Sequence, residues 1–278
     1  MERGNPCVGC AAVNEEYLRR RFKKRILPAL GDPVCSEGPV TVFLGGQPGA
    51  GKTRSQRLVK SMYGENLLPI IGDDYRQYHP QYAQLVREDP LRMPTVTASA
   101  AAAWTGMVVE WVDAHGASAV IEGTWRNSET VLKEAKRATQ LGRRAHAVVV
   151  AVPPILSRLG ILERYYFDLE QGESARWTPP EAHETAVHNL VSTVPAIAES
   201  GLFGRFTVID REGAILYDGA DGEAFSRTWA QNFARSLSEE ERETVRRATG
   251  RLGRLCRTHT PENKEALAII DGLSAAAV

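Results

Sequence analysis

Long apolar runs, an excess of either charge and a cysteine framework are all missing from this sequence, and each absence removes a class of function. No stretch of 18 or more apolar residues occurs, and the N-terminal MERGNPCVGC carries charge with no apolar segment behind it. Neither a membrane span nor a secretory leader is expected, so the chain reads as cytoplasmic. Lys and Arg together number 34, and so do Asp and Glu. A balanced chain has no field to draw in nucleic acid or an anionic membrane and no acidic excess to suggest disorder, which leaves a small molecule as the expected partner. The four cysteines, Cys7, Cys10, Cys35 and Cys256, are too few and too scattered for a disulfide scaffold in 278 residues. Cys7 and Cys10 have zinc-pair spacing, but a structural zinc site takes four ligands and no second pair follows, so all four read as thiols.

What is present is an alternation. Short apolar runs at Val40–Leu44, Leu67–Ile71, Ala119–Ile121 and Ala147–Val152, with a fifth at Phe206–Ile209, are separated by helix-period segments at 52–62, 96–115, 128–141 and 155–170. Buried strands alternating with helices predict an α/β fold in three layers, a mostly parallel sheet with crossover helices on both faces. The Ala-rich stretch Ser99–Val112 is too short and, with Glu110, too polar for a membrane, and reads as a buried helix. Residues 15–30 place Tyr17, Phe22, Ile26, Leu27 and Leu30 at helical spacing among basic residues, an amphipathic helix ending near Pro28–Gly31. A helix over 180–200 and a strand pair, 206–210 and 214–217, close the core. Beyond Gly219 the chain reads as helical and charged, its Arg and Glu spaced for a solvated face, with the last residues, 274–278, expected to fray. The segments divide as a tail and helix (1–38), a core (39–220) and a C-terminal helical extension (221–278).

Immediately after the first apolar run comes Gly46-Gln47-Pro48-Gly49-Ala50-Gly51-Lys52-Thr53, which fits G-x-x-x-x-G-K-[ST] with a strand before it and a helix after. Its backbone N–H groups and the helix N-terminus suit a polyphosphate, Lys52 its β and γ oxygens, and the Thr53 hydroxyl Mg²⁺. In an open α/β sheet, ligands gather at the carboxyl ends of the strands. The second run delivers Asp73 and Asp74 there, and a kinase needs a carboxylate at that place to take the acceptor's proton. For one of the two, turn former or helix N-cap is the plainer reading. The third run delivers Glu122, Thr124 and Arg126, suited to substrate or magnesium, and Arg164 and Arg176 could spread transition-state charge. No Asn-Lys-x-Asp guanine reader occurs, so the set favours a small-molecule kinase over a GTPase.

GGQPGAGKT, DDYRQYHP, IEGTWR, VAVPPILSRLGILERY, SARWTPPEAHE and ESGLFGRFTVIDREGAILY, in this order from about Val40 to Tyr217, together resemble the zeta-toxin family of P-loop kinases. The resemblance implies a P-loop kinase fold carrying added N- and C-terminal helices, and transfer of the ATP γ-phosphate to a hydroxyl of a nucleotide sugar, UDP-N-acetylglucosamine in the toxins. It implies that Lys52 and Thr53 hold ATP and magnesium, that Asp73 rather than Asp74 is the base, that Glu122, Thr124 and Arg126 line the acceptor site, and that Arg164 and Arg176 clamp the phosphates. It also implies a small antitoxin protein as partner, for which the basic face of helix 15–30 is a candidate docking surface. One position departs: where the toxins carry an acidic residue on the helix before IEGT, this chain has Gly106, with Glu110 one turn on. Three readings follow: a toxin-like nucleotide-sugar kinase, a self-protecting kinase of a nucleoside antibiotic, and a nucleotide-binding scaffold without transfer. Asp73 together with two arginines speaks against the last.

Overall fold

A computed structural model of the protein describes residues 13–172 and 175–277; the Cys7/Cys10 pair lies outside them. The described thiols, exposed Cys35 and buried Cys256, are both free.

The apolar runs become β1 (Val40–Gly45), β2 (Leu68–Ile71), β3 (Ala119–Glu122), β4 (Arg144–Val150), β5 (Arg205–Ile209) and β6 (Ile215–Gly219). They form one sheet in the order β2-β3-β1-β4-β5-β6, parallel except for β6, which returns antiparallel to β5. Val40, Val42 and Leu44 of β1 enter one core and Phe43 the other, as do Val148 and Val150 against Ala147 and Val149 of β4. Burial on both faces is why these strands read as continuous apolar runs rather than as alternating ones.

Eleven labelled α-helices surround the sheet. Asn14 caps α1 (Glu15–Arg21) by accepting from the Tyr17 N–H at 2.9 Å. The helix continues through a π turn at Phe22–Ile26 into α2 (Leu27–Leu30) and stops at Gly31, whose φ of 73° suits only glycine well. The others are α3 (Lys52–Tyr63), α4 (Tyr82–Glu88), α5 (Met93–Ala114), α6 (Ser128–Gln140), α7 (Pro154–Glu170), α8 (Pro180–Glu199), α9 (Gly222–Ala234), α10 (Glu239–His259) and α11 (Lys264–Ala276). Val59, Leu162, Leu252 and Ile270 bring α3, α7, α10 and α11 into one core with β1 and β4. Ala135, Leu190 and Phe225 bring α6, α8 and α9 to the other face. At the β2 edge, Ile26 and the partly buried Tyr17, Leu18 and Phe22 pack with Trp104 and Val108 of α5, and Trp104 Nε1 donates to Leu18 O at 3.1 Å. No helix among the described residues is long and apolar enough to cross a membrane.

One expectation is corrected: residues 274–277 do not fray, because α11 runs to Ala276 and Ala277 is fully buried. Turn former is the reading that holds for Asp73 and Asp74, since both lie inside a 3-10 turn, Gly72–Tyr78, whose cap position is Ile71. The α10 face does carry the expected ladder, with Arg242 and Arg246 on Glu239 and Glu243, but its other side buries Val245, Leu252 and Cys256. Neither the 3-10 turn nor α4 was expected, since both are too short for an apolar period to emerge.

Candidate active site

The five parallel strands deliver their carboxyl ends to one edge, and the phosphate loop leaves the central strand there. Three of its glycines take left-handed backbone, Gly46 (φ 151°), Gly49 (φ 76°) and Gly51 (φ 99°). At Gly49 the demand is also steric, because a Cβ there would stand 2.0 Å from the Ser157 carbonyl oxygen of α7. Gln47 and Ala50 are fully buried beneath the loop. Lys52 opens α3 and donates through Nζ to Gly46 O (2.8 Å) and Gln47 O (3.2 Å), with Glu122 Oε1 at 4.0 Å. Burial lowers the Lys52 pKa; Glu122 and Asp73 oppose that shift, and Arg164 adds to it. Thr53, next along α3, is exposed.

Asp73 stands at the end of β2. Its Oδ1 accepts from Arg76 Nε at 2.7 Å, and Arg76 is itself fixed to α5 by bonds to Pro94 O (2.6 Å) and Thr97 Oγ1 (2.9 Å). Burial pushes the Asp73 carboxyl up, but Arg76, Arg176 and Arg164 together pull it below its ordinary value. Asp74 goes the other way, raised by burial and by the charge of Asp73 against the pull of Arg176. One turn thus carries two carboxyls of opposite tendency, and the strongly ionised one has the arginines. Arg176 Nη1 donates to Asp73 O at 3.5 Å, and Arg164 Nη2 to Thr178 Oγ1 at 3.1 Å. Burial and the neighbouring Arg176 lower the Arg164 pKa, while Asp73 and Glu122 oppose.

Glu122 ends β3 and accepts from Gln56 Nε2, one turn beyond Thr53 on α3. After it, Trp125 sits at φ 51°, a left-handed conformation costly for a bulky residue. Its buried ring covers Gly45, where a Cβ would stand 2.0 Å from the indole. The loop after β3 is therefore locked onto the strand that feeds the phosphate loop, and Asn189 of α8 adds a bond to Arg126 O at 2.8 Å. The side chains of Thr124 and Arg126 have no hydrogen bond or ion pair among the described residues. On α5, Gly106 is exposed and a Cβ there meets nothing within 4 Å, while the preceding Thr105 stands 3.2 Å from where a Cβ of Gly72 would lie. Glu110 is exposed as well.

The arrangement links Lys52, Asp73, Glu122, Arg164 and Arg176 electrostatically; Thr124 and Arg126 follow Glu122 in the chain, their side chains without a hydrogen bond or ion pair among the described residues. Three contributors were not visible in the sequence reading: Gln56 on Glu122, Arg76 on Asp73, and Arg211 of the β5–β6 turn. Arg211 donates to Leu156 O and to Gly49 O (3.4 Å) and pairs with Glu163 at 3.5 Å, so it covers the outside of the phosphate loop. Offsets of three residues, Thr53 to Gln56 and Asp73 to Arg76, were the available signal for the first two. The oxygens offered, a Thr53 hydroxyl and the carboxylates of Glu122 and Asp73, are hard donors. No group of three or more His, Cys, Asp or Glu that could hold a metal occurs among the described residues. That fits magnesium, which keeps most of its waters and binds through one or two protein oxygens and the substrate phosphates.

The zeta toxin family matches residues 31–221, a span that contains every residue of this site. Toxin zeta of Enterococcus hirae is 31% identical over 237 residues, covering 82% of this chain and 81% of that protein. Toxin PezT of Streptococcus pneumoniae is 29% identical over 209 residues, covering 73% of this chain and 83% of that one. A structure solved for the PezAT chromosomal toxin-antitoxin system of S. pneumoniae superposes with a TM-score of 0.72 at 25% identity, over 87% of this chain and 97% of that chain. On the matched span and the relatives alike, this chain belongs to the zeta toxin family.

Proposed function

We propose that the protein is an ATP-dependent kinase that transfers the γ-phosphate to a hydroxyl of a sugar-nucleotide or nucleoside-type acceptor, with UDP-N-acetylglucosamine the first candidate. The observation that carries this reading is the meeting of a partly buried Lys52, an ionised Asp73 and two arginines at the mouth of one phosphate loop. A scaffold that only held a nucleotide would have no use for a carboxylate kept ionised beside that loop.

In this reading the loop 46–51 and Lys52 hold the β- and γ-phosphates, and Lys52 exchanges its bonds to Gly46 O and Gln47 O for phosphate oxygens. Thr53 and Glu122 would hold magnesium, which would neutralise phosphate charge. Asp73 accepts the proton of the attacking hydroxyl as the new O–P bond forms and the bond from the γ-phosphorus to the bridging oxygen breaks, releasing ADP. Arg164 and Arg176 face the charge that builds on the phosphoryl oxygens. Thr124 and Arg126, unbonded in the protein alone, contact the acceptor. The chemistry resides in 39–220, with 1–38 and 221–278 as extensions, and it takes place in the cytoplasm, where ATP is supplied. A small antitoxin would silence it by covering the nucleotide site, as the toxin-antitoxin setting of the PezAT relative suggests.

Gly106 favours a second acceptor class. It offers open space and no hydrogen-bond acceptor, so a nucleoside antibiotic bulkier on that side would be accommodated and the host protected. Incubation with ATP, Mg²⁺ and a panel of nucleotide sugars, nucleosides and nucleoside antibiotics, read as a mass gain of one phosphate, decides between them. Phosphorylation of a nucleotide sugar, with growth arrest on expression, supports the first class; an antibiotic product with benign expression supports the second. No product across the panel overturns the kinase reading.

A further inference from the structure

Behind the phosphate loop runs a chain of polar side chains that the transfer chemistry does not use, buried at Gln47, Ser157 and His183 and reaching solvent at Glu184 and Arg158. Gln47 Nε2 donates to Val152 O at 2.9 Å and to Ser157 Oγ at 3.3 Å. Ser157 Oγ lies 2.8 Å from His183 Nε2, and His183 Nδ1 lies 3.0 Å from Glu184 Oε1. Two N–H bonds from Arg158, 2.9 and 2.7 Å, then fix Glu184. Burial lowers the His183 pKa against the opposing pull of Glu184, which keeps the ring neutral. The Ser157 hydroxyl donates to Pro154 O at 2.9 Å, and a neutral His183 ring donates from one nitrogen and accepts at the other along the chain. The order Ser, His, Glu imitates a nucleophile triad, but Ser157 is 0% exposed and cannot reach a substrate.

The chain links three segments that each carry a group of the site. Gln47 is in the phosphate loop, and its carbonyl holds Lys52. Ser157 is on α7, two turns before Arg164, and His183 is on α8, seven residues after Arg176. Gly49 lies flush on α7 at the Ser157 carbonyl, so any shift of α7 is passed to the loop. Buried polar chains of this kind are costly to build and apolar side chains would pack there as well, so their use is to specify one geometry. We infer that His183 is a positioning residue that, through Ser157 and Gln47, fixes the phosphate loop against the helix and segment bearing the two arginines. The assignment rests on the kinase reading for its effect on rate, and on geometry alone for its effect on the loop.

The test uses the full chain with His183→Ala, His183→Gln and, as a control on the same helix, the core truncation Val194→Ala. Amide hydrogen exchange of the peptide covering residues 45–53 is read without nucleotide, and kcat and KM for ATP are read on whichever acceptor the wild type phosphorylates. His183→Ala is expected to raise exchange in the loop and to lower kcat by about a hundredfold, the scale of a 1 Å misplacement, with a much smaller change in KM. His183→Gln, whose side-chain amide offers both a donor and an acceptor to Ser157 Oγ, restores both readings. Val194→Ala lowers the Tm and leaves loop exchange and kcat near wild type. Wild-type exchange in His183→Ala, or equal effects from Val194→Ala, overturns the assignment. Should His183→Ala not fold, Ser157→Ala cuts the same link and is read the same way. A wild type that phosphorylates nothing defeats the kinase reading only, and loop exchange still decides the role of His183.

Discussion

On the donor wall of the cleft, the loop 46–51 is fixed from every side, by buried Gln47 and Ala50, by Gly49 flush on α7 and by Arg211 across its outer edge. On the wall proposed for the acceptor, one loop and the Asp73 carboxylate are fixed, the latter by Arg76, and the remaining side chains are open. Trp125 and Asn189 hold the 123–127 loop, while Arg126, Gly106 and Glu110 stay exposed and Asp73 keeps 62% of its side chain open. On the proposed kinase reading, the contrast means that the fold settles the polyphosphate geometry in its own core and leaves the choice of acceptor to a few surface side chains. Change on the first wall, or at the reacting Asp73, is then expected to cost activity or stability, and change at the exposed Arg126 and Gly106 to alter which molecule is phosphorylated.

The contrast breaks soonest at the reacting groups. Asp73→Asn keeps the shape of the turn and removes the proton acceptor, so phosphate transfer should fall by about 10²–10⁴-fold. ATP binding, measured by calorimetry, should persist. Lys52→Ala, on the other wall, should weaken both binding and turnover, by at least about a hundredfold in kcat. Unchanged turnover in the Asp73 variant would remove it from the role of base, and a fully active Lys52 variant would dismantle the donor wall as described.

Next in size is Gly49→Ala, a single methyl against the Ser157 carbonyl in a left-handed backbone. Overpacking of this kind costs about 1–3 kcal/mol, and the φ penalty adds to it. Denaturant unfolding should show the loss together with weaker ATP affinity. A matching Ala at Gly106 should show neither, and similar losses at the two sites would erase the difference between the walls.

A smaller effect is expected at Arg76, where pH gives the readout. The folded-state pKa of Asp73 is depressed, so its ionised form persists at neutral pH and is lost only as pH falls through that depressed value. Arg76→Gln removes the nearest source of the depression, and the acid limb of kcat/KM should move to higher pH. An acid limb that stays in place in this variant would mean that Asp73 is not the group that limits the rate in acid.

The donor wall was legible in the sequence because its chemistry is local: strand, glycine turn and helix start follow one another, and three of the loop glycines sit where positive φ is needed. β1, β4 and β5 showed as apolar runs for a related reason, burial on both faces, whereas β2 and β3 showed through their apolar composition although they are only partly buried. What was not legible depends on distance. Arg211 meets Gly49 across 162 residues, and no spacing rule links residues brought together only by the fold; Gln56 had a local signal in its offset of three from Thr53, but its partner Glu122 lies 66 residues on. Residues 274–277 were misjudged likewise, since Ala277 is buried by packing that a run of small residues does not announce.

The finest test of the comparison is Gly106 itself. It lies inside α5, exposed, with nothing within 4 Å of an added Cβ, so Gly106→Ala removes the helix penalty of glycine without a clash. A gain of about 0.5–1 kcal/mol in unfolding free energy is expected, with ATP affinity unchanged. Gly106→Glu adds an acceptor for sugar hydroxyls on the same backbone. If this wall reads the acceptor, that variant should shift the ratio of kcat/KM between nucleotide sugars and nucleosides toward the sugars, while the Ala variant leaves the ratio alone. Equal ratios in the two would place acceptor choice elsewhere, with Thr124 and Arg126 as the groups left to carry it.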